Sequence, residues 1–133
     1  MEKRPLDYAK ASMDTMMRKW EAPKLPPEGR FHYHQGVFLS GMYKSYELCK
    51  EEKYFDYIKS WIDAVITGGG VIKQDDMGQF DDMQPGILLY PLYHRTGDAR
   101  YKKALNSLMA AIDHYPTTPE GGYFHKADLP EEM

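Results

Sequence analysis

Apolar residues recur at spacings of three and four along most of the chain, which is the pattern of amphipathic α-helices rather than of strands. The pattern predicts helices over residues 5–20, 33–49, 53–66, 84–95 and 98–114 and loops over 68–82 and 117–133. Pro5 suits a first helical turn, whereas Pro23 and the three glycines at 68–70 follow helix ends. No run of alternating β-branched residues occurs, and at most residues 122–126 form a short extended piece. We therefore predict an all-α protein.

The chain also contains an internal repeat. Residues 36–43 (GVFLSGMY) and 86–93 (GILLYPLY) share the form Gly, β-branched, x, Leu, x, x, Met or Leu, Tyr. Each block is followed by a short charged turn and by a second helix that opens with a tyrosine, Tyr54 or Tyr101. The repeated unit is a helix hairpin of about fifty residues, which is typical of solenoids and toroids built from stacked hairpins. A coiled coil is excluded, because no heptad is sustained.

Composition narrows the class of protein. The 133 residues are 42% apolar and 28% charged, with a net charge of -3, so the basic excess of a nucleic-acid binder is missing. Cys49 is the single cysteine, which excludes an internal disulfide and suggests a reducing compartment. Neither a secretory signal nor an apolar stretch long enough to span a membrane is found. We therefore expect a cytoplasmic protein that acts on neither nucleic acid nor membrane.

Two adjacent carboxylates, Asp81 and Asp82, precede the predicted helix over 84–95. In one interpretation, a carboxylate points into a cleft as an acid, a base or a ligand for a sugar. In the other, the pair caps the helix and complements its dipole. The residues alone leave both interpretations open.

A second polar segment lies near the end of the chain. Residues 121–126 (GGYFHK) place His125 and Lys126 beside aromatic rings after a Gly-Gly turn. These two side chains are suited to binding the carboxylate of an anionic sugar, and an ordinary surface loop explains them equally well.

Residues 31–36 (FHYHQG) open the second predicted helix with the pair His32 and His34. No third ligand stands at a recognised zinc-site spacing, so no metal is expected. Residues i and i+2 do not share a helix face, and we expect one of Tyr33 and His34 to face a pocket and the other to pack. The glycines at 68–70 lack the Gly-Lys-Ser/Thr ending of a phosphate-binding loop, and no cofactor is expected.

Four blocks occur in a fixed order, namely HYHQG at 32–36, FDDMQPG at 80–86, RY at 100–101 and PEGGYFHK at 119–126. Together they resemble glycoside hydrolase family 105, the unsaturated rhamnogalacturonyl hydrolases, which are related to the unsaturated glucuronyl hydrolases. The resemblance runs from about residue 5 to the last residue. It implies an (α/α)6 toroid, of which residues 1–133 are the N-terminal part of a single domain, about two and a half hairpins of six.

The resemblance implies a substrate as well, an oligosaccharide that ends in 4,5-unsaturated galacturonic acid, as pectin lyases leave it. A carboxylic acid protonates the vinyl-ether double bond at C4, water adds at C5, and the resulting hemiketal opens and releases the neighbouring sugar. Asp82 matches the family's first active-site aspartate and is the expected catalytic residue, with Asp81 as the alternative assignment for that role. Tyr33, Asp81, His125 and Lys126 match positions that bind the substrate.

The sequence departs from the family pattern in one important respect. The Trp-x-Asp-Gly block, whose aspartate is the family's principal acid/base, is not among the 133 residues. Phe31 also stands where a tryptophan is more usual. We therefore expect a pectin-degrading hydrolase whose residues 1–133 have little or no activity alone and associate with themselves through an open helical edge. The alternative is a non-catalytic helical-repeat module that binds sugar or protein.

Overall fold

The computed structural model describes residues 2–74 and 78–127. Its α-helices are α1 (Pro5–Lys19), α2 (Tyr33–Cys49), α3 (Glu52–Val65), α4 (Leu89–Thr96) and α5 (Ala99–Asp113). Short 3₁₀-helices cover Ala22–Lys24, Phe80–Asp82 and Gln84–Leu88. Within the described ranges, β-pairing is limited to isolated bridges and forms no strand. The prediction of an all-α protein is therefore confirmed.

Helix α2 carries the first copy of the repeat, and the 3₁₀-helix Gln84–Leu88 together with α4 carries the second. The two copies lie side by side in the same direction. Near their N-terminal ends, Gly36 is packed so closely against the 3₁₀-helix before α4 that a Cβ there would lie 2.9 Å from Pro85 Cγ. Near their C-terminal ends, the Arg95 guanidinium donates a hydrogen bond of 2.9 Å to the Tyr46 hydroxyl. The first glycine of each repeat is thus a close-packing position, since a Cβ on Gly86 would lie 2.5 Å from Leu108 Cδ1.

The predicted helix over 84–95 differs from the observed structure. Its first part is the 3₁₀-helix Gln84–Leu88, and α-helical geometry begins only at Leu89. Pro85 supplies no backbone N–H, and the N–H of Gly86 donates to the Met83 carbonyl, three residues back, at 2.9 Å. The narrower 3₁₀ turn suits a segment confined between α2 and α5.

Helices α1, α3 and α5 form a second layer against the first. Tyr54 on α3 is fully buried and its hydroxyl donates to Asp14 of α1 at 2.8 Å, while the buried Tyr101 of α5 donates to Asp63 of α3 at 2.6 Å. Burial raises the pKa of the Tyr54 hydroxyl above its ordinary value, and the Asp14 carboxylate acts in the same direction. These rings fill the space between the layers, and their hydroxyls reach partners at the edge of the core.

The loops before α2, before α4 and after α5 meet at one end of the two layers. The Phe31 N–H donates to Gln74 Oε1 at 3.1 Å, which joins the first two loops. The Ala127 N–H donates to the Gly78 carbonyl at 2.7 Å, which joins the second and third. This end therefore gathers the polar segments that lie far apart in the sequence.

Candidate functional site at the loop end of the helices

Tyr115, just after α5, holds two of the loops together. Its hydroxyl lies 3.1 Å from the Gly78 carbonyl oxygen and 2.9 Å from that of His125. Its ring stacks on Phe80 with the centroids 4.4 Å apart, and Tyr123 meets Phe80 edge-on. The segment 78–82 and the loop 121–127 are thereby fixed relative to each other by hydrogen bonds and by ring packing.

Asp81 and His125 meet across this junction. Asp81 Oδ2 lies 3.9 Å from His125 Nε2, and the two side chains are 33% and 45% exposed, respectively. Lys126 pairs with Gln79 through an antiparallel backbone bridge, which brings it to the same junction. Three of the predicted substrate-binding residues therefore lie together, with a carboxylate and an imidazole both reachable by a ligand.

Asp82 points elsewhere, although it is the next residue in the chain. Its side chain is only 7% exposed, with Oδ1 3.5 Å from Arg30 Nη2 and 3.9 Å from His32 Nε2. None of the described residues donates a hydrogen bond to that oxygen. The interpretation of the Asp pair as a helix cap is wrong, because neither the 3₁₀-helix Gln84–Leu88 nor α4 has a side-chain cap.

The aromatic side chains at the start of α2 form a stack beside Asp82. The Tyr33 and His34 rings are 4.1 Å apart, and His32 Nδ1 lies 2.7 Å from His34 Nδ1, so one of these nitrogens donates and the other accepts. We expected one of Tyr33 and His34 to pack, which is wrong, since both are exposed and His32 is the buried ring. Burial lowers the pKa of His32, the Arg30 guanidinium lowers it further, and the Asp82 carboxylate opposes both.

The structure therefore sorts the predicted residues into two groups. Asp81, His125 and Lys126 form the first group. Asp82 and Tyr33 form the second, and they are connected through His32, whose ring lies 4.6 Å from the Tyr33 ring. Sequence reasoning missed Arg30 and Tyr115. Arg30 adjoins the FHYHQG block, a weak signal, whereas Tyr115 stands in no motif that distinguishes it from the other tyrosines.

In residues 2–74 and 78–127, no three side chains of His, Cys, Asp and Glu come together as metal ligands. The His32 and His34 Nδ1 atoms instead share a hydrogen bond of 2.7 Å. Among the described helices, none is long and apolar enough to cross a membrane.

Comparison with known proteins places the chain among glycoside hydrolases. The family model for Glycosyl Hydrolase Family 88 matches residues 8–133. Among solved structures, the chain is similar to a glycoside hydrolase from family 105 of C. acetobutylicum ATCC 824, at 31% sequence identity and a TM-score of 0.81. The match covers 92% of this chain and 34% of that one, so this chain spans about a third of that protein's length.

Two layers of helices, with carboxylate-bearing loops at one end, therefore define part of a helical toroid of the glycoside hydrolase class. The match over residues 8–133 shows further that the chain belongs to Glycosyl Hydrolase Family 88. The resemblance to glycoside hydrolases is confirmed at this level.

Proposed function

We propose that residues 1–133 form the N-terminal part of a single-domain hydrolase that releases 4,5-unsaturated galacturonic acid from rhamnogalacturonan oligosaccharides. The observation that carries this proposal is the juxtaposition of the Asp81 carboxylate and the His125 imidazole, 3.9 Å apart and both accessible. The similar family 105 hydrolase supports the reaction class. The lone Cys49 favours the cytoplasm, where thiols stay reduced.

The geometry also bears on which carboxylate meets the substrate. Asp82 is the catalytic residue expected from the motif, but its side chain is 7% exposed and faces Arg30 and His32. Asp81 is 33% exposed and faces His125. We therefore assign contact with the substrate to Asp81, and to Asp82 the positioning of the Arg30 and His32 side chains behind it.

The proposed chemistry follows from these positions. His125 and Lys126 donate hydrogen bonds to the carboxylate of the unsaturated sugar, and Tyr33, whose ring is 37% exposed, packs on the sugar ring. An acid delivers a proton to C4 and water supplies the hydroxyl at C5. The hemiketal at C5 then opens: its hydroxyl proton is lost, the bond from C5 to the ring oxygen breaks, and the ring oxygen takes up a proton. The C1 hemiacetal so formed loses its hydroxyl proton and breaks the bond to the neighbouring sugar, whose oxygen is protonated as it leaves. Asp81 orients the sugar or the water as a hydrogen-bond acceptor.

The Trp-x-Asp-Gly block with the principal acid/base is not among these residues, so residues 1–133 should bind the sugar but turn it over slowly or not at all. Turnover is tested by the ultraviolet absorbance of unsaturated rhamnogalacturonan disaccharide, which falls as the conjugated double bond is lost. Binding is tested by NMR titration of residues 1–133 with the same disaccharide. Binding that Asp81→Asn weakens and Asp56→Asn leaves unchanged supports the proposal. Absence of binding refutes it, whereas enzyme-like turnover refutes the need for a further acid.

One observation favours the alternative of a non-catalytic module or of self-association. Val37 on α2, Ile87 on the 3₁₀-helix Gln84–Leu88 and Tyr90 on α4 are exposed by 58%, 64% and 61%, beside an apolar groove of about 310 Å³. Such a patch is typical of an interaction surface. Light scattering distinguishes these two alternatives. A monodisperse monomer favours the module, whereas concentration-dependent association favours an open edge that a second copy covers.

A further inference from the structure

We propose that a polar cleft beside Asp82 is a second binding subsite, for a sugar residue that carries a carboxylate. This inference rests on the proposed function, because the ligand would be a further uronic acid of the same oligosaccharide. The cleft measures about 340 Å³ and is lined by Gly29, Arg30, Lys73, Gln74, Gln79 and Asp82. It is separate from the Asp81–His125 junction, since neither of those two residues lines it.

The two walls of the cleft are tied together by hydrogen bonds. The Phe31 N–H donates to Gln74 Oε1 at 3.1 Å, which links the loop before α2 to the loop after α3. The Lys73 N–H donates to the Val65 carbonyl at 2.8 Å, and Lys73 Nζ donates to the Ala64 carbonyl at 3.1 Å. Lys73 is therefore held at the C-terminal end of α3 rather than left on a loose loop, so ordering its side chain on binding would cost less entropy.

The incomplete pairing of Asp82 with Arg30 leaves the Arg30 guanidinium able to bind a ligand. The buried Oδ1 of Asp82 accepts no hydrogen bond from the described residues, and Arg30 Nη2 approaches it only to 3.5 Å. Buried carboxylate oxygens normally have a hydrogen-bond partner, so this one is open to a donor such as a sugar hydroxyl. The Arg30 side chain is 49% exposed and has further N–H donors, so it can bridge Asp82 and a second carboxylate.

The chemistry of the cleft selects the class of ligand. A guanidinium binds a carboxylate through two parallel hydrogen bonds, and an ammonium group adds a point charge. The side-chain amide of Gln79 is suited to sugar hydroxyls, because it both donates and accepts. A uronic acid carries both kinds of group on one ring, whereas a neutral sugar has no carboxylate to offer Arg30 and Lys73.

The test is isothermal titration of residues 1–133 with saturated digalacturonate, which has no 4,5 double bond and cannot be consumed. We expect Arg30→Gln to weaken binding about tenfold and Lys73→Gln about threefold, while the matched control Lys102→Gln on α5 leaves it unchanged. Arg30→Lys should restore part of the loss, and circular dichroism checks that each variant is folded.

Three results would overturn the inference: unchanged affinity in Arg30→Gln, equal binding of a neutral disaccharide, or binding of inorganic phosphate as tight as that of digalacturonate. The last result would define a general small-anion site. Asp81→Asn and His125→Gln should weaken binding of the unsaturated disaccharide but leave that of digalacturonate intact. Failure of the proposed function and failure of the second subsite are thereby distinguishable.

Discussion

Asp63 in the helical layers and Asp82 at the loop end are both aspartates facing an arginine, but their surroundings differ. Asp63 accepts hydrogen bonds from Tyr101 at 2.6 Å, from Lys59 at 2.7 Å and from Arg100 at 3.3 Å. Asp82 lies deeper, and its arginine and histidine neighbours approach only to 3.5 and 3.9 Å. The Asp63 carboxylate is therefore satisfied by side chains of the helical layers, whereas the buried Oδ1 of Asp82 accepts no hydrogen bond from the described residues.

The apolar core between the layers should show the largest effect. Trp61 is fully buried and its ring stacks on Phe31 with the centroids 5.8 Å apart. Trp61→Ala should lower the free energy of unfolding by about 3–5 kcal/mol, since it opens a cavity in the core. Urea denaturation measures this, with Leu48→Ala as the control, because Leu48 is 74% exposed and should cost less than about 0.5 kcal/mol. Equal losses would show that the layers do not pack as described.

The next largest effect on the free energy of unfolding is expected at Asp63. Asp63→Ala should cost about 1–3 kcal/mol, because the buried Tyr101 hydroxyl loses its acceptor. Asp82→Ala should cost less than about 1 kcal/mol, because none of the described residues donates a hydrogen bond to its buried Oδ1 and the half-exposed Arg30 stays hydrated. The same denaturation measurement compares them. A larger loss at Asp82 would contradict the contrast between the two regions.

Tyr115 offers a smaller effect confined to the loop end. Tyr115→Phe keeps the stacking on Phe80 but removes the hydroxyl that lies within hydrogen-bonding distance of the carbonyls of Gly78 and His125. We expect a loss of about 1 kcal/mol and faster exchange of the Ala127 amide, whose N–H donates to Gly78. Tyr123→Phe is the control, because the ring is 45% exposed. Unchanged exchange at Ala127 would show that the hydroxyl does not hold the two loops together.

The smallest effect concerns pH. The pKa of His32 in the folded chain lies below its ordinary value, mainly because the ring is buried. As the pH falls below about 6.5, His32 is protonated in the unfolded chain before it is protonated in the folded chain. The free energy of unfolding therefore decreases toward acid pH. His32→Gln should flatten the pH dependence of the unfolding temperature in this range. An unchanged pH dependence in this variant would contradict the prediction.

Much of the fold could be predicted from local sequence. The bounds of α2 agree with the predicted helix over 33–49, and those of α1, α3 and α5 agree to within one residue at each end. The cap between α4 and α5 also follows from local residues, since Gly97 adopts a left-handed conformation and Asp98 accepts a hydrogen bond from the Arg100 N–H. The 3₁₀ opening before α4 was missed, because it depends on how closely Gly86 meets Leu108 on another helix.

The candidate site shows what each level of structure decides. The sequence by itself determined the helices, the hairpin repeat and the short list of polar residues, because periodicity, proline, glycine and motif order are properties of neighbouring positions. Only the tertiary structure decided that Asp81 faces His125 and Asp82 faces Arg30. Successive side chains on a 3₁₀ turn point about 120° apart, so the surroundings of each carboxylate depend on loops some forty to fifty residues away in the chain.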